Sequence, residues 1–144
     1  MVDILLVDIA KGIGNLTDVT INQVVPAYRS ENEILIATDG NGVYKMNMAT
    51  KEYESLPMPR KYLVEMVMDR RAACLVYQGK NYRDDSALIY FQNSRERELM
   101  HPQNRQELEF LLDMLAKKGE KRTFSYIKRN VLKGLPFPWE RSAE

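Results

Sequence analysis

The sequence predicts an α+β protein, mainly β: an antiparallel sheet or small, partly open barrel of about seven to nine short strands, then two C-terminal helices and an extended tail. Three observations carry this reading. Glu33–Leu56 (EILIATDGNGVYKMNMATKEYESL) and Ala73–Met100 (ACLVYQGKNYRDDSALIYFQNSRERELM) share one layout of apolar run, glycine turn, second apolar run, polar turn and short charged segment. Ile34 and Cys74 stand 40 residues apart, and Lys51 and Arg95 stand 44 apart. Beyond Gln103 the apolar residues recur at helical spacing.

Taken in order, Asp3–Ile9 is an apolar run of strand length, followed by a glycine turn over Lys11–Asn15. Asp18–Tyr28 is rich in β-branched residues and reads as a strand that ends at Pro26, which has no N–H for the ladder. Ile34–Thr38 and Val43–Met48 flank Asp39-Gly40-Asn41-Gly42, a strong hairpin signal because such turns need positive φ. Alternation directs Tyr44, Met46 and Met48 inward. Lys51–Leu56, Tyr62–Met68, Ala72–Tyr77 and Ala87–Phe91 read as further strands, and Arg95–Met100 as a charged edge strand. Asp69-Arg70-Arg71 reads as the turn joining two of them, and Gln78–Ser86 as a polar loop.

Leu108, Leu111, Leu112 and Leu115 then predict a helix over residues 103–118, with Pro102 in its first turn and Gly119 as its stop. A second helix is expected over 123–133, with Phe124, Ile127 and Val131 on one face. Residues 1–134 are thus expected to form a single β-rich domain. Residues 135–144 form a tail whose Pro136 and Pro138 exclude a helix.

With 144 residues, the chain is long enough to bury a core without disulfide or metal. Its apolar fraction of 44% and charged fraction of 28% are those of an ordinary soluble globular protein. A net charge of +1 gives no global attraction to nucleic acid or to an anionic membrane. Cys74 is the only cysteine, which fits a reducing, cytoplasmic setting. No leader-like segment and no run long enough for a membrane span is read.

The two repeated units, about 19–56 and 62–100, resemble blades of WD-type or citron-homology-type β-propellers; ILIATDGNGVYKMN is similar to the pattern at a blade's inner hairpin. That resemblance implies four-stranded blades that assemble further to close a ring. The strand order followed by one amphipathic helix also resembles the pleckstrin-homology barrel, with residues 103–118 as the capping helix. The lysine and arginine cluster of its lipid-binding members has no counterpart here, so phosphoinositide binding is not implied.

No catalytic, cofactor or metal signature stands out. Asp8, Gly12 and Gly14 read as a strand end with a glycine turn. His101 has no acid–base partner at fixed spacing, Cys74 reads as a buried small hydrophobe, and Asp84 and Asp85 read as a solvated turn. One Cys and one His exclude the usual zinc quartet.

The strongest bias is cationic. Lys117, Lys118, Lys121, Arg122, Lys128, Arg129 and Lys133 face only Glu120 within Lys117–Lys133. With Tyr126 among them, they suit an acidic protein surface or, second, a nucleic-acid backbone with an aromatic to stack on a base. Phe137 and Trp139, set in a proline-stiffened tail, suit interface anchors. The predicted function is therefore a non-catalytic interaction module, a small adaptor or regulatory subunit, binding through Lys121, Arg122, Tyr126, Lys128, Arg129, Phe137 and Trp139. A nucleic-acid accessory protein is the first alternative. A small enzyme with a site assembled from scattered Asp, Glu, Lys and Tyr is the second. Exposed strand edges also provide a route to homo-oligomers.

Overall fold

The computed structural model describes residues 21–38, 42–94 and 96–141. The predicted strand Asp3–Ile9, the turn holding Asp8, Gly12 and Gly14, and the turn Asp39-Gly40-Asn41 lie outside the described residues. The fold is α+β: a four-stranded antiparallel sheet followed by helices. Two compact units are distinguished, Met1–Pro57 and Met58–Glu144.

The sheet is a meander of β1 (Ile21–Pro26), β2 (Glu33–Thr38), β3 (Val43–Asn47) and β4 (Tyr53–Leu56), each paired with the next. Pro26 is the last residue of β1, where a missing N–H costs least. The β2–β3 register sets Ile34 opposite Met46 and Ile36 opposite Tyr44. Ile36, Tyr44 and Met46 are buried, so one face of the sheet is apolar, as the alternation predicts. Across the β2–β3–β4 ladder Lys45 lies 2.9 Å from Glu54 and 3.5 Å from Glu33. The β3–β4 turn is set by the Asn47 side chain, whose Oδ1 accepts from the backbone N–H groups of Ala49 and Thr50.

The expected strand count of seven to nine is corrected here. Tyr62–Met68, Ala72–Tyr77 and the intervening Asp69-Arg70-Arg71 form one helix, α1 (Arg60–Gln78). Leu63, Val67 and Cys74 are its buried residues, at spacings of four and seven, which is helical periodicity. No Gly or Pro interrupts the stretch, and the Asp69–Arg71 charges that suggested a turn lie within the helix. Ala87–Phe91 lies in a second helix, α2 (Ser86–Gln92), and the expected charged edge strand contains the short helix α3 (Glu96–Leu99). The residues that made the second blade-like unit are therefore helical from Arg60 to Gln78 and again from Ser86 to Gln92.

The two predicted C-terminal helices are continuous in backbone hydrogen bonding but broken in direction. Helix α4 runs Pro102–Tyr126, with His101 Nδ1 accepting from the Gln103 N–H at its start. At Gly119 the backbone takes φ 79° and ψ 174°, a conformation essentially limited to glycine, so this residue ends one helical direction and begins another. The chain then enters a π turn over Ile127–Val131.

The helical unit's core gathers Leu63 and Val67 of α1, Phe91 of α2, Leu108, Leu111 and Leu112 of α4, Ile127 and Val131 of the π turn, and Phe137. Each fully buried side chain of this kind contributes about 1.5–3 kcal/mol. One of its buried polar groups centres on Asn104 and Glu107. Asn104 Oδ1 accepts from the Met58 N–H at 2.6 Å, and its Nδ2 faces Glu107 Oε2 at 3.2 Å. Gln103 Nε2 donates to the other Glu107 oxygen at 3.1 Å. Among the described residues no helix is long and apolar enough to cross a membrane.

Candidate functional site

Helix α4 beyond Gly119 has a sharply two-sided character. Thr123, Ile127 and Val131 recur every fourth residue and are buried, which fixes the inner face. Lys121, Arg122, Lys128, Arg129 and Lys133 are exposed on the outer face. The nearby carboxylates are committed elsewhere: Glu120 to Arg71, Asp113 to Lys117 at 2.9 Å, and Glu140 to Arg60 at 3.6 Å. None of the five outer cations pairs with a carboxylate among the described residues. The whole unit shares this bias, since Met58–Glu144 carries 17 Lys and Arg against 12 Asp and Glu. Met1–Pro57 has the opposite sign, with 4 against 8.

The end of this helix is anchored by Arg60. Its guanidinium donates to the carbonyls of Val131 and Leu135, pairs with Glu140, and lies 4.8 Å from the centroid of the Phe137 ring. The Val131 carbonyl, at the end of the π turn, also accepts from the Gly134 N–H at 3.1 Å, and the Leu135 carbonyl lies just beyond the helix. A concavity of about 450 Å³ opens beside it, lined by Phe124, Ser125, Lys128, Arg129 and Lys133.

The aromatic residues expected at the interface are placed differently. Phe137 is 1% exposed. Its ring stacks on Trp139 at 4.9 Å and meets Phe110 edge-on at 5.8 Å. Tyr126 is half-buried with its ring edge against Phe110, and burial raises its hydroxyl pKa above the ordinary value. Trp139 is half-buried in the same cluster. The tail is thus a structural part of the helical unit, because burying two rings outweighs the freedom of a short, proline-stiffened segment. Tyr126, Phe137 and Trp139 do not join the exposed cations, whereas Lys121, Arg122, Lys128 and Arg129 share one face.

The residues weighed for catalysis are dispersed. Cys74 is buried, and desolvation raises its thiol pKa, which leaves it a poor nucleophile. His101 caps a helix, and Asp85 pairs with Arg83 at 3.1 Å. Among the described residues no three His, Cys, Asp or Glu side chains gather as metal ligands.

One feature of the surface is absent from the sequence reading. A groove of about 770 Å³ lies between the end of α1 and α2, lined by Tyr77, Ile89 and Tyr90 among amide and hydroxyl groups and the Arg83–Asp85 pair. Tyr77 is 87% exposed and Tyr90 61%. Read as strands and a polar loop, these residues fell on separate elements. A helical reading of Arg60–Gln78 would have put Val76 opposite the buried stripe of Leu63, Val67 and Cys74, with Tyr77 at its edge.

Residues 45–114 match the family model DUF5662, a family of unknown function. The cationic stripe beyond Gly119 lies outside that match. No curated protein and no solved structure matches the chain.

Proposed function

We propose that the protein is a non-catalytic interaction module, a small adaptor or regulatory subunit, whose helical unit binds an acidic surface of a protein partner. The observation that carries this reading is the row of exposed cations, Lys121, Arg122, Lys128, Arg129 and Lys133, on a helix whose inner face is locked into the core. Unpaired like charges held side by side on a rigid helix repel one another, and an acidic partner relieves that cost while steering association. The acidic balance of Met1–Pro57 lowers the protein's overall attraction for nucleic acid, which favours a protein partner. The lone, buried Cys74 suits a reducing, cytoplasmic setting.

The test is capture from a nuclease-treated lysate of the native cells, comparing the wild type with the Lys128→Glu/Arg129→Glu variant. A stoichiometric protein retained by the wild type and lost by the variant supports the reading. Equal retention by both contradicts it.

A further inference from the structure

The π turn gives the cationic stripe a shape that an ordinary helix would not. Lys128 and Lys133 are five residues apart, which on an α-helix of 3.6 residues per turn sets them about 140° apart. Here the Leu132 N–H bonds five residues back, to the Ile127 carbonyl at 2.9 Å. The chain then closes with a glycine cap, in which Gly134 at φ 73° donates to the Val131 carbonyl at 3.1 Å and Leu135 to the Asn130 carbonyl at 3.0 Å. Such widening turns residues five apart toward a common face. Lys128, Arg129 and Lys133 accordingly line one concavity with Ser125 and the ring of Phe124, and no carboxylate lines it.

Cations near a helix C-terminus often serve to balance the carbonyl end of the helix dipole. That role is already taken here, because the Gly134 and Leu135 N–H groups donate to the Val131 and Asn130 carbonyls and Arg60 also covers the Val131 carbonyl. The three outer cations are left for an external anion.

We propose that this concavity is a phosphate-binding site that takes a phosphorylated serine or threonine side chain of the protein partner; the inference rests on the protein-partner reading above. Three converging cations and a hydroxyl exceed what one carboxylate, with one charge and two oxygens, can use. A phosphate monoester brings nearly two charges and three acceptor oxygens, and the Arg129 guanidinium matches it with paired donors. Phe124 supplies an apolar floor for the carbon chain that carries the phosphate.

The test follows backbone amide NMR shifts of the isolated protein with three pentapeptides of identical sequence, bearing phosphoserine, serine or glutamate at the centre. The expected result is a saturable shift at Ser125, Lys128, Arg129 and Lys133 with the phosphopeptide. Its affinity should be at least about tenfold tighter than that of the glutamate peptide. Arg129→Ala and Lys133→Ala should each weaken it about tenfold at unchanged melting temperature, since both side chains are exposed. Lys117→Ala, on a residue already paired with Asp113, should leave it unchanged. Equal affinity for the phosphoserine and glutamate peptides overturns the phosphate site but leaves the acidic-partner reading standing. No shift with either peptide at millimolar concentration overturns both. Displacement of the phosphopeptide by an oligoadenylate at a concentration well below the phosphopeptide's own Kd overturns the site in favour of nucleic acid.

Discussion

Arg60, in the first turn of α1, donates from Nη1 to the backbone carbonyl of Leu135, 75 residues further along the chain. The same guanidinium reaches Val131, Glu140 and the face of Phe137. One side chain therefore sets the end of the π turn, the course of the tail and, through both, the placement of the exposed cations.

Arg60→Ala should lower the stability of the helical unit by about 1.5–3 kcal/mol, because two carbonyls lose a charged donor and Phe137 loses its cation. Urea unfolding should show a lower midpoint at unchanged slope. Arg60→Lys keeps the charge but not the planar fork, and should recover only part of the loss. A shift of less than about 0.5 kcal/mol in the alanine variant would place Arg60 among ordinary surface residues.

Asn104→Ala should cost about 1–3 kcal/mol by leaving the half-buried Met58 N–H without its acceptor and a buried Glu107 oxygen without its donor. The Met58 amide should then exchange with solvent faster, which native-state hydrogen exchange reads directly.

Gly119→Ala should cost about 1–3 kcal/mol although there is room for the new methyl group. The nearest atom to it would be an Asp84 carboxylate oxygen at 3.7 Å, an ordinary contact. The penalty is therefore one of backbone conformation and should appear as a lower thermal midpoint. An unchanged midpoint would mean that the helix redirects at another residue.

Alkaline pH should destabilise the protein. Burial raises the pKa of Tyr82 and Tyr126 above the ordinary value of 10.0, so the folded state holds those protons more tightly than the unfolded chain. Their stabilisation is complete below pH 10.0 and is lost as the pH rises through the higher folded values. Urea midpoints measured from neutral pH upward should stay level and then fall beyond about pH 9, because the raised Cys74 thiol, with an ordinary value of 9.0, adds its loss before that of the tyrosines. The fall should be shallower in Tyr126→Phe.

The legible parts of this fold were those with a sharp local signal. The β2–β3 alternation and the position of Pro26 follow from strand chemistry, and Gly119 marks the break in α4 because few other residues tolerate its backbone. Helix α1 was misread because Tyr62–Met68 and Ala72–Tyr77 each resemble a short strand. Only across the whole of Arg60–Gln78 does the spacing of Leu63, Val67 and Cys74 become helical. The cations of the candidate site were visible as a charge run, but their convergence was not, since a π turn leaves no mark in the sequence at Ile127–Val131. Phe137 and Trp139 were read as anchors for a partner because their rings announce burial without saying against what. Phe110 and Arg60, both distant in sequence, decide that question.

The most direct measurement is a titration of the isolated protein with an acidic Glu/Asp peptide and, separately, with single-stranded DNA of similar length at physiological salt. The account predicts that the peptide binds more tightly than the DNA and that Lys128→Glu/Arg129→Glu abolishes its binding while the melting temperature is kept. Tighter binding of the DNA, or peptide binding that survives the charge reversal, would contradict it.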